Sequence, residues 1–201
     1  MPRPTMATDD PAEALALLEA GNARFVAGTP NSAPLTPKEL ALEEGQSPFA
    51  VVLGCSDSRV PIEMIFDQQP GHIFVVRVAG NFLNADNLAS IEFAVQYLKS
   101  KVVVVLGHTH CGALTGAISY AKTGAKPPGH IYKIVEAVAP SVEATRRLSG
   151  DWIANAVVHN VERNAGALVG ESAIIAAAVA AGELRVTGGL YDLRTGRVAF
   201  S

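Results

Sequence analysis

Short apolar runs alternate along the chain with longer segments in which apolar residues recur every three or four positions. The runs FAVVLG, HIFVVRVAG and KVVVVLG are short, apolar and end at or near glycine, which is typical of buried strands. A segment with helical periodicity follows each of them. Strands that alternate with helices predict an α/β domain with a mainly parallel central sheet flanked by helices.

The pattern also predicts elements near both ends of the chain. DDPAEALALLEAGNARFVAG predicts an N-terminal helix with Asp10 as the N-cap and Pro11 in the first turn. TPKELALEEG, residues 36–45, opens with a capping box and predicts a second helix. ELRVTGGLYDLRTGRVAFS predicts a C-terminal hairpin of two strands, joined by a turn at Thr195 and Gly196.

Three of the helical segments between these ends carry more specific predictions. ADNLASIEFAVQYLKS is expected to start at Asp86. IYKIVEAVAPSVEATRRLSG is expected to be interrupted at Pro140, because proline removes a backbone donor and clashes with the preceding turn. Residues 151–181 are rich in Ala and Val and are expected to be helical.

Composition narrows the class of protein. The 201 residues contain no obvious linker, so we expect one domain over residues 1–201, with about residues 1–10 flexible. The hydrophobic fraction of 49% suggests an interface between copies as well as a core. No apolar run reaches the ~20 residues of a membrane span, and no signal peptide is visible, so a cytoplasmic location is expected. The net charge of −3 and the scattered Lys and Arg argue against nucleic-acid binding.

Both cysteines of the chain follow a predicted strand. Cys55 follows VVLG, and Cys111 lies three residues after His108, which follows VVVVLG. Since ligands bind at the carboxyl ends of parallel strands, the three side chains would meet if these strands are neighbours. Two thiolates and an imidazole suit a catalytic Zn²⁺ with an open fourth position. Ordinary core cysteines are the alternative, and His110 is a competing ligand whose side chain should point elsewhere.

Asp57 and Arg59 lie in the loop that follows Cys55. A zinc ion with an open position lowers the pKa of its water and provides a hydroxide nucleophile. Asp57 could accept a hydrogen bond from that hydroxide and orient it. Arg59 could hold Asp57 by a bidentate ion pair and keep it off the zinc. The alternatives are that Asp57 only caps the next short helix, or that the two residues form an ordinary ion pair.

The motifs CSDSRV, RVAGN, IEFAV and GHTHCGA together resemble the β-class carbonic anhydrases, over nearly the whole chain to GGLYDLRTGRV. The resemblance implies zinc-dependent reversible hydration of CO₂ to bicarbonate and a proton. It implies one Zn²⁺ per chain, bound by Cys55, His108 and Cys111. Asp57 and Arg59 match the family's Asp/Arg dyad, and Asp57 is the fourth zinc ligand in an inactive form. An N-terminal helical arm is expected to wrap a partner in a homodimer, which is often paired into a homotetramer.

The resemblance also implies a substrate pocket. Gln46 matches a glutamine that hydrogen-bonds substrate across the dimer interface. Phe74, Ala79 and Phe93 match pocket-wall positions, and Phe93 departs from the Tyr that many members carry. Ordinary core packing is the alternative for the two phenylalanines. Val52 stands where bicarbonate-binding members have Trp, which favours the open, water-bound form.

Two other functions are compatible with the metal site. A related zinc hydrolase that acts on CS₂ or COS would carry the same ligands. A redox or zinc-sensing protein would cycle Cys55 and Cys111 between thiols and a disulfide. Such a sensor has no use for the Asp57–Arg59 pair, so the enzyme is the preferred hypothesis.

Overall fold

The computed structural model describes residues 8–31, 43 and 45–201. Within these ranges the elements in chain order are α1 (Pro11–Ala27), β1 (Ala50–Gly54), α2 (Ile62–Ile65), β2 (Ile73–Arg77), α3 (Ala85–Gln96), β3 (Val102–His108), α4 (Gly112–Thr123), α5 (Ile131–Thr145), α6 (Trp152–Glu171), α7 (Ala173–Ala180), β4 (Arg185–Tyr191) and β5 (Val198–Phe200). None of the helices within those ranges is long and apolar enough to cross a membrane. Most of the helix predicted for residues 36–45 and most of the flexible segment expected at residues 1–10 lie outside the described residues.

The five strands form one sheet in the order β2-β1-β3-β4-β5. The first four strands of that order run parallel, and β5 pairs antiparallel with β4. β1 and β3 are neighbours, with Gly54 opposite Leu106. The predicted α/β fold, with its mainly parallel sheet and C-terminal hairpin, is confirmed, and the strand ends that carry Cys55 and His108 lie side by side.

β1 and β3 form the centre of the core, and every residue of both strands is buried. Because side chains alternate along a strand, they face two sides of the sheet. Val52 and Val104 pack in a cluster with residues of α1 and α2. Val51 and Val103 pack in a second cluster with residues of α3, α6 and α7. Helices therefore cover both faces, which explains why these strands are continuously apolar in sequence.

The N-terminal helix α1 packs on the sheet of its own chain. The Asp10 side chain accepts hydrogen bonds from two backbone amides of the first turn, and Pro11 is the first helical residue, as predicted. Leu18 is fully buried in the core cluster. At Gly21 the helix touches the chain that follows α2, because a Cβ there would lie 1.8 Å from the carbonyl oxygen of Phe66. Only a residue without a side chain allows this close approach.

Three helices differ from the prediction in their limits. α3 begins at Ala85, with the Asn84 side chain as its N-cap, rather than at Asp86. α5 continues through Pro140, which is exposed, so the carbonyl that loses its partner can face water. Residues 151–181 form two helices instead of one, because Ser172 has an extended backbone and its hydroxyl caps α7.

Candidate metal centre

Three side chains that can bind a metal meet at the carboxyl ends of β1 and β3. Cys55 directly follows β1, His108 ends β3, and Cys111 is the N-cap residue of α4. Their sulfur and nitrogen ligand atoms all lie within 4.8 Å of one another, and all three residues are buried. His110 is exposed and does not belong to this group. The convergence that the sequence predicted is therefore present in the structure.

The ring of His108 is oriented for metal binding. Its Nδ1 lies 2.9 Å from the carbonyl oxygen of Thr109. Because a carbonyl only accepts, Nδ1 carries the proton and Nε2 keeps its lone pair. Nε2 is buried and has no hydrogen-bond partner within the described part of the chain. A buried unpaired nitrogen beside two sulfurs is what a metal ion would satisfy, so the residues present fit zinc.

The two cysteines are free and share one hydrogen bond. The contact with Cys111 lowers the pKa of the Cys55 thiol, with a smaller contribution from the backbone N–H of Gly80. The same contact with Cys55 raises the pKa of Cys111. Opposite pKa shifts of this kind are expected for two sulfurs that share one proton. A bound cation would favour a second thiolate and displace that proton.

Arg59 holds the carboxylate of Asp57 beside this cluster. Arg59 Nε donates to Oδ1 at 2.9 Å, Nη2 donates to Oδ2 at 2.7 Å, and the backbone N–H of Arg59 donates to Oδ1 at 2.9 Å. These hydrogen bonds hold the pKa of the Asp57 carboxyl well below its usual range. Oδ2 also lies 4.0 Å from Nε2 of His108. The carboxylate is therefore ionised, held by arginine and adjacent to the candidate metal ligands.

The helix-cap alternative for Asp57 is wrong. α2 starts at Ile62 and its N-cap residue is Pro61, with no side-chain hydrogen bond at the cap. Asp57 lies four residues before Pro61, and its carboxylate accepts from Arg59 instead. The loop therefore leaves the Asp57 side chain available for chemistry at the metal centre.

Arg77 holds the same loop and is not among the site residues predicted from the sequence. Arg77 is the last residue of β2, and its Nε donates to the carbonyl oxygen of Cys55 at 3.0 Å. Its Nη2 donates to the carbonyl oxygen of Asp57 at 2.7 Å. The side chain thus fixes the backbone on both sides of Ser56. The sequence feature that could have indicated this role is an arginine at the carboxyl end of a predicted strand.

Ala79 is the predicted pocket residue that lies beside the ligands of its own chain. It is half-buried and precedes Gly80, whose backbone N–H donates to Cys55 Sγ at 3.3 Å. Gln46 is exposed and lies beyond the other end of β1. The carbonyl of Pro48 is held there by the Ser100 hydroxyl at 2.7 Å, near the start of β3. Gln46 therefore lies away from the metal centre of its own chain.

Phe74 and Phe93 form an aromatic cluster on the β2 edge of the sheet. Their ring centroids are 6.4 Å apart, and the rings of Phe93 and Tyr97 are 5.4 Å apart. Phe93 is 47% exposed and Tyr97 is 63% exposed. Phe74 lies opposite Val51, which is four residues, or about 13 Å along the strand, before Cys55. Within one chain the structure does not bring the two phenylalanines to the ligands.

Comparisons with known proteins agree on one family. The sequence model of the carbonic anhydrase family matches residues 50–198. The chain is 40% identical over 193 residues to carbonic anhydrase 2 of Mycobacterium tuberculosis (strain CDC 1551 / Oshkosh), covering 96% of this chain and 93% of that protein. It is similar to the solved structure of the β-carbonic anhydrase CafA of Aspergillus fumigatus, with a TM-score of 0.72, 28% identity, and coverage of 94% of this chain and 89% of that one. It is also similar to a tetrameric β-carbonic anhydrase from Sordaria macrospora, with a TM-score of 0.72, 26% identity, and coverage of 94% and 95%.

In this α/β fold, the ends of the strands present two cysteines, a histidine and an Asp/Arg pair. Such a site defines a zinc enzyme that activates water. With these matches, the chain belongs to the carbonic anhydrase family, in its β class. Its reaction is the zinc-dependent reversible hydration of CO₂ to bicarbonate and a proton. The predicted enzyme class and cofactor are confirmed. The matches favour CO₂ over CS₂ or COS as the substrate, and an enzyme over a redox sensor.

Proposed function

We propose that Cys55, His108 and Cys111 bind the catalytic zinc ion of this carbonic anhydrase, one ion per chain. The observation that carries this proposal is the convergence of two sulfurs and one ring nitrogen within 4.8 Å. The hydrogen bond from Nδ1 to Thr109 leaves Nε2 of His108 free to bind. Three protein ligands leave a fourth position open, as in catalytic zinc sites. When bound, the zinc acts as a Lewis acid that makes water nucleophilic at neutral pH.

Asp57 orients the water that attacks CO₂. Arg59 engages both carboxylate oxygens, so the remaining lone pairs of Asp57 point in fixed directions. Oδ2 lies 4.0 Å from Nε2 of His108, which places an acceptor beside the ligands. By accepting a hydrogen bond from the water, the carboxylate directs the lone pair of that water toward the substrate. Arg59 also keeps Asp57 off the metal, so we propose the open form as the resting state.

The substrate pocket is completed by a second subunit in a homodimer, or in a homotetramer built from such dimers. Ala79 lines the pocket from the same chain, and Gln46, Phe74 and Phe93 come from the interface. Two observations support this: Gln46 is exposed, and Phe93 presents almost half of its surface to solvent in the single chain. Large exposed rings are typical of interfaces. The similar Sordaria macrospora enzyme is tetrameric.

The cytoplasm is the proposed location, and residues 1–201 are the proposed single domain. Neither cysteine is in a disulfide, and zinc binding needs both of them reduced. The sheet and the helices on its two faces share the core clusters described above, which supports one folding unit.

Zinc content and CO₂ hydration, measured on the same samples, test the ligand assignment. Cys55→Ser and His108→Ala should lose most of the zinc and nearly all stopped-flow activity, because each leaves only two strong ligands. His110→Ala is the matched control, since it changes a histidine next to Cys111 that is outside the cluster. It should keep both zinc and activity. Loss of zinc from His110→Ala together with full zinc in His108→Ala would contradict the assignment.

Light scattering with parallel activity measurements tests the assembly. The wild-type protein should be a dimer or larger wherever it is active. Phe93→Glu places a charge in the exposed aromatic cluster and should lower both the mass and the activity. Leu148→Glu, at a residue that is 58% exposed and outside this cluster, is the control and should change neither. A fully active 21.0 kDa monomer would refute the proposed interface and the role of Gln46.

A further inference from the structure

We propose that Asn160 in α6 is a positioning residue for the metal centre. It fixes the backbone of Gly80, so that the Gly80 N–H donates to the sulfur of Cys55. This inference rests on the proposed role of Cys55 as a zinc ligand. It concerns a residue that is separated from Gly80 by 80 positions in sequence and that touches neither substrate nor metal ligand directly.

The first link is the hydrogen bond to the ligand sulfur. The backbone N–H of Gly80 lies 3.3 Å from Cys55 Sγ in a buried environment. Gly80 has a φ of +87°, in the region that favours glycine. A Cβ at this position would also lie 3.0 Å from the Ala113 Cβ and 3.1 Å from Val138 Cγ1. The donor thus depends on one unusual backbone conformation, held in a tight space.

The second link is a hydrogen bond to the carbonyl group of Gly80, which holds the same backbone conformation. Asn160 Nδ2 donates to the carbonyl oxygen of Gly80 at 2.9 Å. Asn160 is only 1% exposed, so water cannot readily replace this bond. Both polar backbone groups of Gly80 are therefore engaged, one by the ligand sulfur and one by α6.

The third link fixes the direction of the Asn160 amide. The backbone N–H of Leu83 can only donate, and it lies 2.7 Å from Asn164 Oδ1. Asn164 Nδ2 must then face Asn160, where it donates to the carbonyl at 2.7 Å and to Oδ1 at 3.2 Å. The hydroxyl of Ser141 lies 3.4 Å from the same Oδ1. With its oxygen facing these donors, Asn160 presents Nδ2 to Gly80, and the orientation follows from backbone partners with fixed roles.

This network acts on the ligand as well as on the fold. Groups that hydrogen-bond to metal ligands orient them, and their loss typically lowers metal affinity or activity by about 10–100-fold. A hydrogen bond to a thiolate also changes the electron density on the sulfur. Removing the Asn160 donor should therefore change a property of the Cys55–metal bond that a general loss of stability would leave unchanged.

The test is Asn160→Leu in the full-length protein, which keeps a similar shape and removes the donor. Zinc affinity is measured by competition with a chromophoric chelator. The thiolate-to-Co(II) charge-transfer absorption is measured on the cobalt-substituted protein. We expect zinc affinity to fall about 10–100-fold and the absorption band to shift. Leu168→Ala, which removes a buried side chain from the same helix, is the control. It should lower the melting temperature but change neither the zinc affinity nor the band.

Unchanged zinc affinity and an unchanged cobalt band in folded Asn160→Leu would overturn the proposal, as would equal changes in Leu168→Ala. If Asn160→Leu does not fold, Asn160→Ala removes the same donor without added bulk and decides the question by the same measurements. Cys55→Ser distinguishes the role proposed for Asn160 from the zinc-ligand assignment on which that role rests. Full zinc binding by Cys55→Ser would overturn the ligand assignment together with the role of Asn160. Loss of zinc from Cys55→Ser with no effect of Asn160→Leu would overturn the role of Asn160 alone.

Discussion

Replacing Asp57 with asparagine changes the acceptor beside the metal centre with little change in shape. The Asp57 carboxylate accepts three hydrogen bonds from Arg59, two of them from the guanidinium. In Asp57→Asn, one oxygen becomes an NH₂ group, which would face a guanidinium donor in either orientation of the amide. In either orientation an acceptor needed by the arginine or by the water is lost. The three proposed zinc ligands are untouched, so zinc should be retained.

The size of the effect follows from the kind of hydrogen bond that is lost. A hydrogen bond that involves a charged group contributes about 1.5–3 kcal/mol. Since about 1.4 kcal/mol corresponds to a tenfold change in rate, CO₂ hydration should slow by roughly 10–150-fold. The Arg59 side chain is 56% exposed, and exposed ion pairs contribute little to the free energy of unfolding. The melting temperature should therefore stay close to that of the wild type.

Stopped-flow CO₂ hydration, normalised to the zinc content of each sample, measures this effect. Asp86→Asn removes an exposed carboxylate from the first turn of α3 and controls for the change in net charge. It should hydrate CO₂ at the wild-type rate. A fully metallated and folded Asp57→Asn that is as fast as this control would show that the carboxylate has no part in orienting the water.

Two further predictions follow from contacts in the structure. Arg59→Ala removes both guanidinium hydrogen bonds from Asp57, whose Oδ2 already lies 4.0 Å from His108 Nε2. The variant should be inactive but fully metallated, with an added oxygen ligand from Asp57 in X-ray absorption, and normal hydration kinetics would contradict this. Gly21→Ala would place a Cβ 1.8 Å from the Phe66 carbonyl oxygen. This overpacking should lower the free energy of unfolding in denaturant titrations by about 1–3 kcal/mol or more. Gly166→Ala, where a Cβ meets nothing within 4 Å, should instead raise it by roughly 0.5–1 kcal/mol, and equal effects at the two glycines would contradict the packing argument.

The sequence alone was sufficient where the signal is local. Buried parallel strands are short apolar runs, so β1, β2 and β3 were recognisable without any contact information. The start of α1 was predictable because Asp10 and Pro11 act within one turn. Two cysteines and a histidine placed after strand ends indicated a zinc site, because ligand chemistry belongs to the residue type.

Local rules failed where a residue had two possible partners or environments. Asp57 could have capped α2, and only the structure shows that Pro61 occupies the cap position and that Arg59 binds the carboxylate. Pro140 was expected to break α5, but whether a proline is tolerated depends on which side of the helix meets water. Ser172 caps α7 and so divides residues 151–181 into two helices. The Ala-rich pattern gave no indication of this cap.

The identity of the proposed metal ligands was thus a property of the sequence, whereas their orientation was decided by tertiary structure. The Thr109 carbonyl sets which nitrogen of His108 is free, and Arg77 holds the loop between Cys55 and Asp57 from another strand. Asn160 reaches Gly80 across 80 residues. Each of these contacts is one hydrogen bond among many that a polar side chain can make. Which one forms depends on how the helices and strands pack, and that information is absent from the pattern of residues around either partner.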